Sequence, residues 1–349
     1  MKPAPDFELL KKVLLRQGEP ERLPFIELLC DFEMMEAFLG EKYSPGPNPR
    51  TSYIDFVIRY WYQAGYDYIT LGADVPLQRA RLSTDDTAEL KHSQRQWMNE
   101  HSGPILSWHD FESYAWPQPN EIDYSNLEYA ASHLPDGMQI IFIGPGGQFE
   151  NLSELMGLAP LALSLSDDPA LVAAVAEKIG ALLENLYSTV VEMPNIGAVW
   201  LGDDLGYKTS TVLSPRHLRR YVFPYQKRLV EIAHARSKPF LLHSCGNLAG
   251  IMDELIDEVG IDGKHSYEDV ILPVAEAKAR WGGRISILGG VDVDYLCRHS
   301  EAEVRAYTRK IIEACAPGGG FALGTGNTVA NYIPIQNFKA MLDEGRKAY

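Results

Sequence analysis

Pro239-Phe240-Leu241-Leu242-His243-Ser244-Cys245-Gly246-Asn247 decides how the rest of the chain is read. An apolar run ends in a histidine, and Gly246-Asn247 supplies the turn that closes it. Short apolar runs bounded by turn residues fit strands buried on both faces, as parallel sheets require. Successive strand side chains point to opposite faces, so His243 and Cys245 project to the same side. An imidazole beside a thiol at a strand end makes half of a zinc site. A catalytic zinc takes three protein ligands and keeps a fourth position open. The plain alternative is a packed histidine beside a packed free thiol, since cores hold both.

Working outward, seven more short β-rich segments alternate with helical patterns. The expected strands are residues 23–29, 68–71, 139–143, 198–201, 239–243, 260–264, 285–288 and 321–323. Helix starts fall between them. Asp168-Pro169 and Ser214-Pro215 each place a capping residue before a first-turn proline, and Ser300 with Glu303 reads as a capping box. Eight strands separated by helices predict one parallel (β/α)8 TIM barrel, class α/β, over residues 1–349. The interval 76–135 is too long for one crossover and holds Trp97, Trp108, Tyr114, Trp116, Tyr124 and Tyr129. It is expected as an aromatic-rich excursion between the second and third barrel strands, either a lid over the barrel mouth or a subdomain packing its own aromatics.

Composition narrows the partners. The chain has 349 residues, 46% of them hydrophobic, and a formal net charge of −15. That charge, with no basic run, argues against nucleic acid and leaves a small molecule as the expected partner. No apolar run is long enough for a membrane span, and Met1-Lys2-Pro3-Ala4-Pro5-Asp6 lacks the pattern of a secretory signal. Four cysteines in a chain this long suggest a reducing, cytoplasmic setting rather than a disulfide framework. A monomer or homodimer is expected.

Barrel enzymes carry their chemistry on the loops that follow the strands. Those loops hold Asp74, Gly144-Pro145-Gly146-Gly147, Asp203-Asp204, His243 and Cys245, His265 and Glu268, Asp292, and Thr325-Gly326-Asn327, with Glu27 late in the first strand. The glycine loop could present N–H groups to an anion, but it lacks the Gly-Lys-Ser/Thr of a P-loop and reads first as a tight strand-to-helix turn. Asp203, Asp204 and Glu268 are the candidate catalytic carboxylates, any of which could supply an oxygen to a metal. His243 and Cys245 are the candidate ligands. Glu27, His265, Asp292 and Asn327 are candidate substrate contacts; each could instead only fix a loop. Cys30 follows the first strand, while Cys297 and Cys315 sit in helical patterns as packed thiols.

Several of these segments together resemble the uroporphyrinogen decarboxylase superfamily. They are Leu155-Met156-Gly157; Gly202-Asp203-Asp204 with Leu213-Ser214-Pro215 and Pro224-Tyr225; His243-Ser244-Cys245-Gly246; Gly289-Gly290-Val291-Asp292; and Pro317-Gly318-Gly319-Gly320 with Asn337-Phe338-Lys339-Ala340-Met341. The resemblance covers most of residues 140–345 and implies a (β/α)8 barrel shared by decarboxylases and corrinoid-dependent methyltransferases.

Two departures decide what it carries over. The decarboxylases hold the carboxylates of their substrate with arginines in an N-terminal Met-Arg-Gln-Ala-Gly-Arg segment. Here that region reads Pro24-Phe25-Ile26-Glu27-Leu28-Leu29-Cys30-Asp31, without arginine. The methyltransferases add a distant cysteine to the His-x-Cys pair, and Asn327 stands at that position. An amide is a poor zinc ligand beside a thiolate. The third ligand is then Asp203, Asp204, Glu268 or Cys30, or zinc is absent. The resemblance therefore implies a zinc-assisted methyltransferase, moving a methyl group between a small methylated compound or thiol and a corrinoid on a partner protein. A metal-free decarboxylase of a carboxylated ring and a non-enzymatic tetrapyrrole- or corrinoid-binding protein remain as alternatives.

Overall fold

The computed structural model describes residues 3–86, 88, 90 and 94–348. The strands in chain order are β1 (Tyr68–Leu71), β2 (Arg81–Asp85), β3 (Gln94–Met98), β4 (Gln139–Ile143) and β5 (Ile196–Gly202). They continue with β6 (Phe240–His243), β7 (Gly263–His265), β8 (Ser286–Leu288) and β9 (Phe321–Ala322). Seven of them form one sheet in the order β1-β4-β5-β6-β7-β8-β9, and every pairing within it is parallel. With helices between successive strands, this is the expected TIM-barrel-like α/β fold. All four residues of β6 are buried, as a parallel strand covered on both faces demands.

The first expected strand, 23–29, departs from expectation. Its backbone reaches the sheet only through parallel bridges from Phe25 to Leu323 and Cys30 to Val329. The Ile26 N–H donates to Leu323 O at 2.8 Å, and the Leu323 N–H donates to Pro24 O at 2.9 Å. On the β1 side a side chain takes the place of a ladder. The Tyr68 hydroxyl donates to Glu27 O at 2.7 Å and accepts the Glu27 N–H at 2.5 Å. A phenol standing between the two backbones satisfies the groups that strand pairing would have satisfied.

Two smaller differences matter for the site. The strand expected at 260–264 starts later, because Gly260 at φ 87° closes the preceding helical turn. His265 consequently lies on β7 rather than in the loop after it. Asp168 caps the helix Pro169–Val190 through the Leu171 N–H, and the Ser300–Glu303 box forms. Pro215 opens its helix, but Ser214 makes no side-chain cap bond.

Between β1 and β4 the chain forms an antiparallel hairpin of β2 and β3, the short helix Trp108–Ser113, and the helix Ser125–His133. The last of these packs on the helix Pro49–Ala64 and on β4, so it acts as the crossover helix. The hairpin region is tied down at two places. Arg79 donates to Pro145 O and to Asn151 Oδ1 (2.5 Å) and pairs with Glu154 at 2.5 Å. The Asn331 amide donates to Asp86 Oδ2 at 2.7 Å and to Leu90 O at 2.6 Å. The excursion therefore reaches from the loop after β4 to the loop after β9. No helix among the described residues is long and apolar enough to cross a membrane.

Candidate metal centre

Asp204, His243 and Cys245 bring one ligand atom each within 4.8 Å of one another. Strand register explains the convergence. Gly202 is the partner of His243 across β5 and β6, so Asp204 and Cys245 each lie two residues beyond a matched pair. The Cys245 N–H donates to Asp204 Oδ1 at 2.8 Å, which holds that carboxylate over the cluster. His243 Nε2 is 3.4 Å from Cys245 Sγ and 3.7 Å from Asp204 Oδ1. A tetrahedral zinc with bonds of about 2.0 Å to N and O and about 2.3 Å to S has ligand–ligand edges of roughly 3.3–3.6 Å. The donor set and its spacing fit that ion. Asp204's side chain is 45% exposed, so the cluster faces open space where a fourth ligand would enter.

The hydrogen bonds also fix which imidazole nitrogen is free. His265 Nε2 lies 3.1 Å from Thr325 O, which can only accept, so this nitrogen carries the proton. Neutral His265 then accepts at Nδ1, and His243 Nδ1, 2.8 Å away, must donate to it. That leaves the His243 Nε2 lone pair turned toward Cys245 and Asp204, the tautomer a metal needs. Burial keeps both rings neutral: it lowers His243 to about 4 and His265 well below the ordinary histidine value. The His243–Asp204 contact is therefore not an ion pair at neutral pH. Gly289 makes the relay sterically feasible, because a Cβ there would lie 2.2 Å from Thr325 O and 2.9 Å from the His265 ring.

Cys245 is held from three directions. Its thiol meets the His243 Nε2 lone pair, while Ser266 Oγ (3.3 Å) and Asn327 Nδ2 (3.2 Å) donate to the sulfur. Without a metal, burial and then the Asp204 charge push the thiol up to about 12. A cation held here would take the place of the proton between sulfur and imidazole. Ser266 sits at φ 85°, a left-handed conformation that costs a non-glycine residue about 1 kcal/mol or more. Lys264 is buried, donates to Ser266 O, and stands 4.2 Å from the centroid of the Tyr267 ring. Its burial lowers the amine to about 8, against the raising charges of Cys245, Asp204 and Glu268.

The remaining sequence candidates have other surroundings. Asp203 is fully buried and accepts from the Phe149 N–H (3.2 Å), the Glu150 N–H (2.9 Å) and Gln226 Nε2 (2.8 Å). It thus holds the start of the helix Gln148–Met156. Gly147 permits this approach, since a Cβ there would lie 2.2 Å from Asp203 Cγ. Burial raises Asp203 to about 6, and burial together with both aspartates holds Glu150 well above the ordinary carboxylate value. Asp292 caps the helix Val293–Arg298 through the Tyr295 N–H at 3.0 Å and accepts the Asp269 N–H at 2.8 Å.

Glu268 is half-buried and lines a cavity of about 20 Å³, with Lys264, Ser266, Met252 and Trp281, beside the cluster rather than over it. That is room for little more than one water. Glu27 has both oxygens on Thr325. Cys30, buried beside Tyr60, lies outside the metal group. Of the four expected alternatives for a third ligand, the cluster contains Asp204.

Sequence reasoning did not single out Lys264, Ser266 or Glu150. Lys264 stands among Asp262, Gly263 and His265, where a lysine reads as an ordinary solvated charge, and the positive φ of Ser266 has no composition signal. Glu150 acts through Asp204, whose N–H it accepts at 3.2 Å.

Comparison with known proteins bears on the fold and the family. In fold, the chain is similar to a methyltransferase from Methanosarcina mazei, with TM-score 0.72 and 15% identity over 97% of each chain. In sequence, it is 26% identical over 211 residues to the uroporphyrinogen decarboxylase of Thioalkalivibrio sulfidiphilus (strain HL-EbGR7). That match covers 58% of this chain and 54% of the relative, about half its length. The family profile for uroporphyrinogen decarboxylase (URO-D) matches residues 98–348. Most of the polypeptide, including every ligand of the cluster, falls within that match, and the chain belongs to the uroporphyrinogen decarboxylase family.

Proposed function

We propose that this protein is a zinc-assisted methyltransferase that moves a methyl group between a corrinoid held by a partner protein and a small thiol or related acceptor. The observation that carries the reading is the Asp204–His243–Cys245 cluster at the C-terminal end of the barrel strands. The fold likeness to a methyltransferase adds support. Zinc bound there would lower the pKa of an acceptor thiol and hold it as the nucleophile. His243 gives its Nε2 lone pair, with Nδ1 anchored on His265. Cys245 gives its sulfur, with Ser266 and Asn327 donating to it. Asp204 completes the set, and its exposure leaves room for the acceptor. A corrinoid on a partner would supply the methyl group as an electrophile and keep the electron pair of its carbon bond, while the cluster would hold the acceptor sulfur as the thiolate that takes the methyl group. The described part of the excursion is tied to the loops after β4 and β9, which border this step.

Decarboxylation of uroporphyrinogen is the competing reading. The first segment offers no arginine for a polycarboxylate, and a buried anionic substrate needs paired cations. The two are separated with zinc-loaded protein, methylcob(III)alamin and a panel of small thiols. We expect the corrinoid spectrum to shift to that of the demethylated form, dependent on thiol, and no coproporphyrinogen from uroporphyrinogen. Coproporphyrinogen formation without methylcobalamin turnover would overturn the proposal.

A further inference from the structure

Thr325 stands behind both sides of the cluster. Its carbonyl sets the His265 tautomer, and its chain neighbour but one, Asn327, donates to Cys245 Sγ. What holds Thr325 is Glu27. Glu27 Oε1 accepts the Thr325 N–H at 2.6 Å, and Glu27 Oε2 lies 2.6 Å from Thr325 Oγ1. The same hydroxyl is 2.7 Å from Asn327 O. A hydroxyl has one proton, and a peptide carbonyl can only accept. Both short contacts are made only if the proton between Glu27 and Thr325 comes from Glu27. The hydroxyl proton is then free for Asn327 O.

The surroundings favour the same state. Glu27 is fully buried and makes no ion pair among the described residues. The titratable groups that face this region are Cys30, Tyr60, Tyr66 and Tyr68, all of which burial holds in their neutral forms. Asp31 and Glu33 act on Cys30 and add negative charge; Arg346 acts on Tyr66. Burial raises the Glu27 carboxyl to about 8, against the lowering effect of its Thr325 bonds.

We infer that Glu27 is a positioning residue, a neutral carboxylic acid that donates to Thr325 and so fixes the 325–327 turn behind the two metal ligands His243 and Cys245. The inference concerns the turn itself and holds whether or not the site performs methyl transfer.

Glu27→Gln tests it, because an amide reproduces one acceptor and one donor without a titratable proton. The sign of the pH effect is defined. A carboxyl raised from 4.5 to about 8 stabilises the fold fully below 4.5, and that contribution is lost as pH rises to about 8. Thermal melts of wild type and E27Q from pH 5 to 9 should diverge in favour of E27Q up to about pH 8 and then run parallel. Added zinc alone should bind E27Q within about twofold of wild type, and Glu27→Ala on the order of tenfold more weakly. An infrared band of a protonated carboxyl at neutral pH should disappear in E27Q. If E27A fails to fold, the E27Q comparison still decides. Parallel melts across the whole range, or an E27Q protein that loses zinc as E27A does, would overturn the inference. Failure of zinc binding in wild type itself would strike at the proposed function but leave the melt comparison intact.

Discussion

The two flanks of the barrel mouth both carry polar groups and differ in where those groups point. On the β4–β5 flank, Asp203 receives the Phe149 and Glu150 N–H groups and the Gln226 amide, and Glu150 accepts the Asp204 N–H. Both oxygens of the Asp203 carboxylate are spent within the flank. On the β6–β7 flank, the Thr325 carbonyl orients His265, His265 orients His243, and a lone pair is left facing the Cys245 sulfur and the Asp204 carboxylate. A carboxylate whose two oxygens are taken up by N–H donors holds a loop in place; an imidazole with a directed lone pair left over can take a ligand. Asp203 and Asp204 are chain neighbours on opposite sides of that division.

The largest expected effect is on the β4–β5 flank. Asp203→Ala leaves two buried N–H groups and an amide without their acceptor. Each hydrogen bond to a charged group contributes about 1.5–3 kcal/mol. We expect a loss of about 3 kcal/mol or more in urea unfolding, with any zinc deficit following from the weakened fold. A stability change below about 1 kcal/mol would erase the contrast between the flanks.

A smaller effect, in the opposite direction, is expected at Asn327. Its amide already lies 3.2 Å from Cys245 Sγ, so a thiolate at this position would add a soft ligand. Asn327→Cys should tighten zinc on the order of tenfold in competition with a chelator, while stability without metal changes little. Unchanged affinity would mean that the 325–327 turn does not border the metal position.

Much of this was legible in the sequence. Alternation along 239–245 put His243 and Cys245 on one face, and the turn signals after each apolar run located most strands within a residue or two. The choice between Asp203 and Asp204 was not legible. It depends on the β5–β6 register, in which Gly202 meets His243, and register is a property of the assembled sheet. Residues 23–29 read as a strand because their apolar pattern is strand-like. The Tyr68 hydroxyl that interrupts the pairing comes from a segment 41 residues away. The left-handed Ser266 and the buried Lys264 leave no local trace either, since backbone conformation and burial at the end of β7 are set by the assembled barrel.

The central claim is that Asp204, His243 and Cys245 hold one metal ion. It is tested most directly by metal analysis of protein purified without a histidine tag, reloaded with zinc and freed of excess, alongside Cys245→Ala. The account predicts one zinc per chain in the parent protein. X-ray absorption should show a single sulfur among nitrogen and oxygen neighbours. It also predicts loss of that zinc in the C245A protein with its fold preserved. Well under one zinc per chain, or zinc retained unchanged after Cys245→Ala, would contradict it.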